Sequence, residues 1–211
     1  MTKRITICCE GKSEQAYIQQ LNAFIESRDA DHFAPSLIFH PIPVGCGKFT
    51  PVRQAIQNEH KKNPKQNLCA WVDYDLYHPR REESERQNYL SRSQGVPDFH
   101  FSFYNFEDFL ILHYPLATLQ EWALRLGNTG HFTQPLYDDE YKPHFKAILP
   151  DYEKGSLPAQ FVNADTLGNL KRNLPARIIS PPSDEPDFRD FAGFLLAEFE
   201  TAYPELYRSL P

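Results

Sequence analysis

Ile5-Thr6-Ile7-Cys8-Cys9-Glu10-Gly11-Lys12-Ser13-Glu14 is the stretch from which the fold is read. Its first five residues are short, β-leaning and mostly apolar, Glu10-Gly11 ends the run, and Ser13 supplies the N-cap of a helix. In residues 14–26 the apolar Tyr17, Leu21, Phe24 and Ile25 recur at helical spacing, with Gln and Asn on the opposite face. That is strand, turn, helix, and the unit repeats. Residues 37–44 read as a second strand and Gly45-Cys46-Gly47 as a loop, with Thr50 as N-cap and Pro51 as first residue of a helix over 52–62. The apolar run 68–72 suits a central parallel strand, 81–93 a polar helix, and 99–104 a fourth strand. Strands separated by helices predict an α/β domain with a mostly parallel sheet flanked by helices.

From about residue 105 the pattern turns helical. Helices are expected over 106–114 and 116–126, then a loop-rich segment to Asp151, then a helix over 159–173. Residues 1–180 are thus taken as one α/β domain with a helical cover. Residues 181–211 are a Pro-rich connection followed by an amphipathic helix, whose Phe188, Phe191, Leu195, Phe199 and Ala202 dock it on the same domain.

Composition narrows the function. Phe, Leu, Ile and Val make up about a quarter of the 211 residues, enough for a folded core. The 22 basic and 28 acidic residues give a net charge of −6, which argues against a chain that coats DNA non-specifically and leaves room only for a local basic groove. Cys8, Cys9, Cys46 and Cys69 show no metal-binding spacing, as expected for a reduced cytoplasmic chain. Glu10 interrupts the apolar run that a signal peptide would need, and no later run approaches the ~18 residues of a membrane span. A soluble protein with no membrane partner is expected.

The chemistry sits where α/β domains place their sites, at the carboxyl ends of strands. Glu10 ends the first strand, Asp73-Tyr74-Asp75 the third, and Glu107-Asp108 comes after the fourth. On an extended segment Asp73 and Asp75 would point to one side, roughly 7 Å apart at their Cα atoms. Clustered carboxylates repel unless a hard divalent cation, Mg²⁺ or Mn²⁺, bridges them, and such a site suits phosphoryl-transfer chemistry. Asp29-Ala30-Asp31, in a polar loop, is assigned to solvent. A sugar-nucleotide transferase, which also uses a strand-end Asp-x-Asp, stays open.

Cys9-Glu10-Gly11-Lys12-Ser13-Glu14 together with the later Trp71-Val72-Asp73-Tyr74-Asp75 resembles the Toprim domain of topoisomerases, primases and OLD-type nucleases, where a Glu-Gly turn and an Asp-x-Asp bind Mg²⁺. Tyr104-Asn105-Phe106-Glu107-Asp108-Phe109-Leu110-Ile111-Leu112-His113 and Tyr152-Glu153-Lys154 are similar to the small bacterial RloB-like proteins of restriction and defence loci, the likeness running from Ile5 to Asn173. The Pro and Trp usual around the family's Phe-Glu are absent here. The resemblance implies a Toprim-like sheet and a Mg²⁺-dependent nuclease, or nuclease-like defence protein, acting on DNA or RNA. It implies Glu10, Asp73 and Asp75 as metal or acid/base residues, with Glu14 and Glu107 as further catalytic candidates. A non-catalytic regulatory protein that binds nucleic acid, or a protein partner from the same locus, is the alternative.

Lys12, Lys48, Arg80 and Arg81 are the candidate contacts to a nucleic-acid backbone, with His78 beside them. Glu82, Glu83 and Glu85 come directly after, so a solvated helix start competes with that role. Gly45-Cys46-Gly47-Lys48 is not a P-loop, because Ile42 stands at the first Gly position and Phe49 where Ser or Thr would hold Mg²⁺. His113, on the helical face of Phe109, reads as a core histidine.

Overall fold

A computed structural model of the chain describes residues 2–28, 35–77, 82–92, 99–102, 105–129, 138–150, 152–175 and 189–211. Strands β1 (Lys3–Cys9), β2 (Leu37–Pro43), β3 (Asn67–Asp73) and β4 (Phe99–Ser102) form one sheet in the order β2-β1-β3-β4, and every neighbouring pair is parallel. The α/β architecture expected from the sequence is the one observed. Helices α1 (Lys12–Arg28), α2 (Phe49–Lys62) and α3 (Glu83–Arg92) alternate with the strands. After β4 come α4 (Phe106–Ile111), α5 (Leu116–Thr129), α6 (Asp138–Ile148), α7 (Ala164–Asn173), α8 (Phe191–Ala202) and α9 (Pro204–Ser209).

Period-two alternation sorts the strand residues between two cores. Ile5, Ile7, Cys9, Cys69 and Trp71 face one side, where Tyr17 and Leu21 of α1, Phe109 of α4, Trp122 of α5, Leu170 of α7 and Phe191 of α8 bury against them. Cys8, Ala70, Val72, Phe99 and Phe101 face the other, against Phe49, Val52 and Ile56 of α2 and Tyr89 of α3. Helices cover both faces, as a parallel sheet requires.

Several boundaries differ from the sequence expectation, each for a local reason. Ser13 is not the N-cap of α1 but lies inside it, and its Oγ accepts from the Gly155 amide at 2.8 Å. The α2 helix starts at Phe49 rather than after Thr50, because Glu85 Oε2 accepts the Phe49 amide at 2.8 Å, so a side chain from α3 satisfies the helix start. The segment expected to be loop-rich contains α6, which the interior Pro143 conceals in the sequence. Burial of Phe145, edge-on to Trp122 at 5.5 Å and to Tyr152 at 4.9 Å, holds that region in place.

The C-terminal segment completes both sheet and core. The Phe101 amide on the free edge of β4 donates to the Arg189 carbonyl at 2.7 Å, and Asp190 then caps α8 by accepting from the Gly193 amide at 2.9 Å. Phe191 stacks on Trp71 with ring centroids 3.8 Å apart and planes 7° from parallel. The Pro-rich connection lies outside the described residues. No helix among the described residues is long and apolar enough to cross a membrane.

This packing can be tested at two positions. Phe191→Ala should cost about 3–5 kcal/mol in urea unfolding, since it removes the ring stacked on Trp71 and leaves a cavity there; an unchanged midpoint would mean that the C-terminal helix is detachable. The other position is His100, which is buried, stacks on Phe194 at 4.2 Å and finds no hydrogen-bond partner for either ring nitrogen among the described residues. Burial lowers its pKa to about 4, so between pH ~6.5 and 4 the unfolded chain takes a proton that the folded chain refuses, and stability falls as pH drops through that window. His100→Phe should remove that part of the acid loss, about 2 kcal/mol at pH 5. Equal losses for both proteins between pH 7.5 and 5 would exclude the assignment.

Candidate active site

The register that pairs Cys9 with Trp71 brings the ends of β1 and β3 level, so Glu10 meets Asp73, whose backbone amide donates to Glu10 Oε2 at 3.2 Å. The β2–α2 loop closes in from the other side. The Gly45 amide donates to the Glu10 carbonyl at 2.9 Å, with Gly45 itself at φ +88°, a left-handed turn suited to glycine. Gly47 lies against the carboxylate: a Cβ there would stand 2.3 Å from Glu10 Oε2. Glycine at 47 therefore leaves room for Glu10 rather than cradling a phosphate.

Two helix starts bring further acids. The Gly11 amide precedes α1 and donates to Glu14 Oε2 at 3.1 Å, the reach-back half of a capping box, so Glu14 has a structural task as well as a place at the site. Asn105 caps α4 by accepting the Asp108 amide at 3.1 Å, which turns Glu107 inward, where the Tyr152 hydroxyl donates to its Oε1 at 3.1 Å. Asp108 faces away and accepts from Trp122 Nε1 at 2.7 Å. Glu10, Glu14, Asp73 and Glu107 thus line one cavity of about 330 Å³, with Lys12 and Lys154 on its wall.

Electrostatics marks this cavity. Burial, then the charge of Glu10, raises the carboxyl of Glu14 to about 7. Burial also raises Asp73, helped by Glu10, Glu14, Asp75 and Glu107 in turn. Glu107 is raised by burial and partly restored by its own backbone amide, the charge of Lys154 and the Tyr152 hydroxyl. Asp73 Oδ1 is shut off from water and accepts no hydrogen bond among the described residues. Two carboxylates about 4 Å apart repel by about 4 kcal/mol at an effective dielectric constant of 20. Each charge in the cluster therefore disfavours its neighbours' ionisation.

The structure brings together Glu10, Glu14, Asp73, Glu107 and Lys12, and leaves others apart. Asp75 does not line the cavity. The strand ends at Asp73 and residues Tyr74–Tyr77 form a 3-10 turn, so the extended geometry expected for 73–75 does not hold, while the charge of Asp75 still raises the Asp73 carboxyl. Lys48, exposed at the start of α2, does not line it either. Arg80, Arg81 and His78 lie outside the described residues. His113 is fully buried, with Nδ1 on the Phe109 carbonyl at 3.1 Å and Nε2 on the Tyr17 hydroxyl at 2.8 Å, which makes it a satisfied core histidine. Spacing along the chain assigns no place at the site to Ser13, Tyr152 or Gly155; their contacts cross from residue 13 to 155 and from 107 to 152, and no spacing rule reports such pairs.

Among the described residues no group of three or more His, Cys, Asp or Glu side chains is arranged as a ready-made metal cage. Mg²⁺ does not require one, since it is held through one or two carboxylates and keeps several waters. The orphaned Asp73 Oδ1 and the adjacent Glu10 carboxylate are hard anionic oxygens of the kind Mg²⁺ or Mn²⁺ selects, so the residues present fit such an ion.

Comparison of the chain with protein-family models, curated proteins and solved structures finds no match in any of the three.

Removing one charge tests the cluster. A carboxyl raised on folding stabilises below its unfolded pKa and loses that contribution as pH rises, so in EDTA at pH 8 Asp73→Asn should melt at or above the wild type, and at pH 4 the gap should close. Mg²⁺ or Mn²⁺ at a hundredfold excess over Kd should stabilise the wild type by about 2.7 kcal/mol and Asp73→Asn far less. A variant that melts lower in EDTA yet responds fully to metal would assign Asp73 a structural role.

Proposed function

We propose that this chain is a Mg²⁺- or Mn²⁺-dependent phosphodiesterase that cleaves DNA or RNA, a Toprim-type nuclease. The observation that carries the reading is the buried, unpartnered Asp73 Oδ1 beside Glu10, at the end of a parallel strand and inside an acidic cavity. The resemblance of Glu10-Gly11 and Trp71-Val72-Asp73 to Toprim domains, and of the Phe106-Glu107 and Tyr152-Glu153-Lys154 segments to the RloB-like proteins, points the same way.

Asp73 and Glu10 would hold the ion, which when bound neutralises phosphodiester charge and activates a water. The remaining chemistry belongs to the chain. Lys12, at the first turn of α1, and Lys154 place positive charge at the mouth of an otherwise acidic cavity, where phosphate oxygens need it. Glu14, with a pKa near 7, exchanges protons at neutral pH and suits general acid or base work. Tyr152 fixes the rotamer of Glu107.

One observation favours a second reading. Glu14 is tied to the Gly11 amide and no three-ligand cage is preformed among the described residues, as would suit a regulatory protein that binds nucleic acid or a partner without cutting it.

Gly47→Ala separates the two. Its new Cβ collides with the movable end of Glu10 rather than with backbone, so the fold should survive and Glu10 should be re-aimed. Cleavage of labelled single- and double-stranded DNA and RNA should fall about 10²-fold, the usual consequence of a displacement near 1 Å, with little change of melting temperature. Wild-type protein that binds these nucleic acids but cuts none in Mg²⁺ or Mn²⁺ would establish the regulatory reading instead.

A further inference from the structure

A second cavity, of about 200 Å³, stands beside the acidic one and differs from it in chemistry. Its walls are the rings of Tyr114, Tyr152 and Phe161, the prolines Pro150 and Pro158, and leucines including Leu157; no charged side chain among the described residues lines it. Tyr152 belongs to both cavities, its ring walling the apolar one while its hydroxyl holds Glu107 in the other. The walls are tied in place. Gln20 on α1 donates from Nε2 to the Pro158 carbonyl at 3.0 Å and accepts the Val162 amide at 3.1 Å, and the Gly155 amide is fixed on Ser13. The pocket therefore exists before any ligand arrives.

We propose that this pocket receives one unpaired nucleobase of the substrate, whose phosphate sits in the acidic cavity across Tyr152. The proposal rests on the phosphodiesterase reading and narrows its substrate class. A nucleotide joins a charged, metal-seeking group to a flat aromatic one, and the two cavities present those two chemistries on either side of one tyrosine. Carboxylates and lysines line one; uncharged rings, on which any base can stack, line the other. A base held in a duplex stack cannot enter a recess, so the substrate is a single strand, or a duplex from which one nucleotide is turned out.

The test compares two strands of eight nucleotides, one carrying all its bases and one built wholly of abasic residues, in deoxyribose and ribose forms, with binding measured by anisotropy in Mg²⁺ and in EDTA. Wild-type protein should prefer the base-bearing strand by about 5- to 150-fold, the worth of one stacked base. Leu157→Trp, which fills the pocket from a half-buried position, should bring that ratio close to one while leaving the Mg²⁺-induced rise in melting temperature unchanged. Tyr114→Ala, which removes one wall, should lower the ratio in the same direction and guards against misfolding of the tryptophan variant. The same preference in the wild type and both variants would overturn the base pocket and leave the phosphodiesterase reading standing. Wild-type protein that binds neither strand and shows no Mg²⁺ response would overturn that reading, and the pocket assignment with it.

Discussion

Trp71 is the contact through which the rest of the molecule is placed. It lies on the central strand β3, fully buried, with its indole N–H on Ser102 Oγ of β4 at 2.9 Å. Tyr17 of α1 meets its ring edge-on at 5.9 Å and Phe109 of α4 at 4.9 Å, while Phe191 of α8 covers its face. Each contact belongs to an element that also carries a site residue or buttresses one that does. Asp73 is two residues beyond Trp71 on the same strand face, Glu14 is three residues before Tyr17 on α1, and Glu107 is two before Phe109 on α4. The carboxylates converge because the apolar residues beside them converge first, driven by burial worth ~1.5–3 kcal/mol for each large side chain.

Packing of that kind can impose an electrostatic cost that the site then uses. Burial raises Asp73, Glu14 and Glu107 together, and each charge raises its neighbours further. One residue from Glu107, Asp108 turns instead to the core, where its Oδ1 accepts from Trp122 Nε1. Asp73 lines the acidic cavity, its backbone amide donating to Glu10 and its buried Oδ1 accepting no hydrogen bond among the described residues.

The alternation of parallel strands with helices, and the acids Glu10 and Asp73 at strand ends, were legible in the sequence because apolar runs, acids at their ends and intervening helical periodicity are local signals. Asp75 departs from its expected place for an equally physical reason. Tyr74 and Tyr77 both bury against Phe101, edge-on at 5.4 Å and tilted at 5.3 Å, and two aromatic residues three apart reach one core only from a helical turn, which takes Asp75 off the strand. The Tyr77 hydroxyl then donates to the Gly47 carbonyl at 2.7 Å, so this turn also sets the loop that hems in Glu10. Gly47 has no sequence signature of its own; its purpose exists only once Glu10 stands opposite it. Tyr152 and Lys154 stand out in the sequence only through a family resemblance, and their roles arise from contacts with α1 and α4.

The C-terminal helix belongs to this chain of dependence although it lines no part of the cavity. A free edge on β4 invites pairing with another chain, and the Arg189 carbonyl and the bridge at Asp190 occupy it. Having aligned there, the chain has only one residue before Phe191 must land on Trp71, so edge pairing and ring stacking are one event rather than two. The face of Trp71 is thereby sealed, its indole kept at Ser102, and β3 held level with β1 at the point where Glu10 meets Asp73. A defect in α8 would reach the acidic cavity by this route, through the tilt of a single indole ring, without touching any carboxylate.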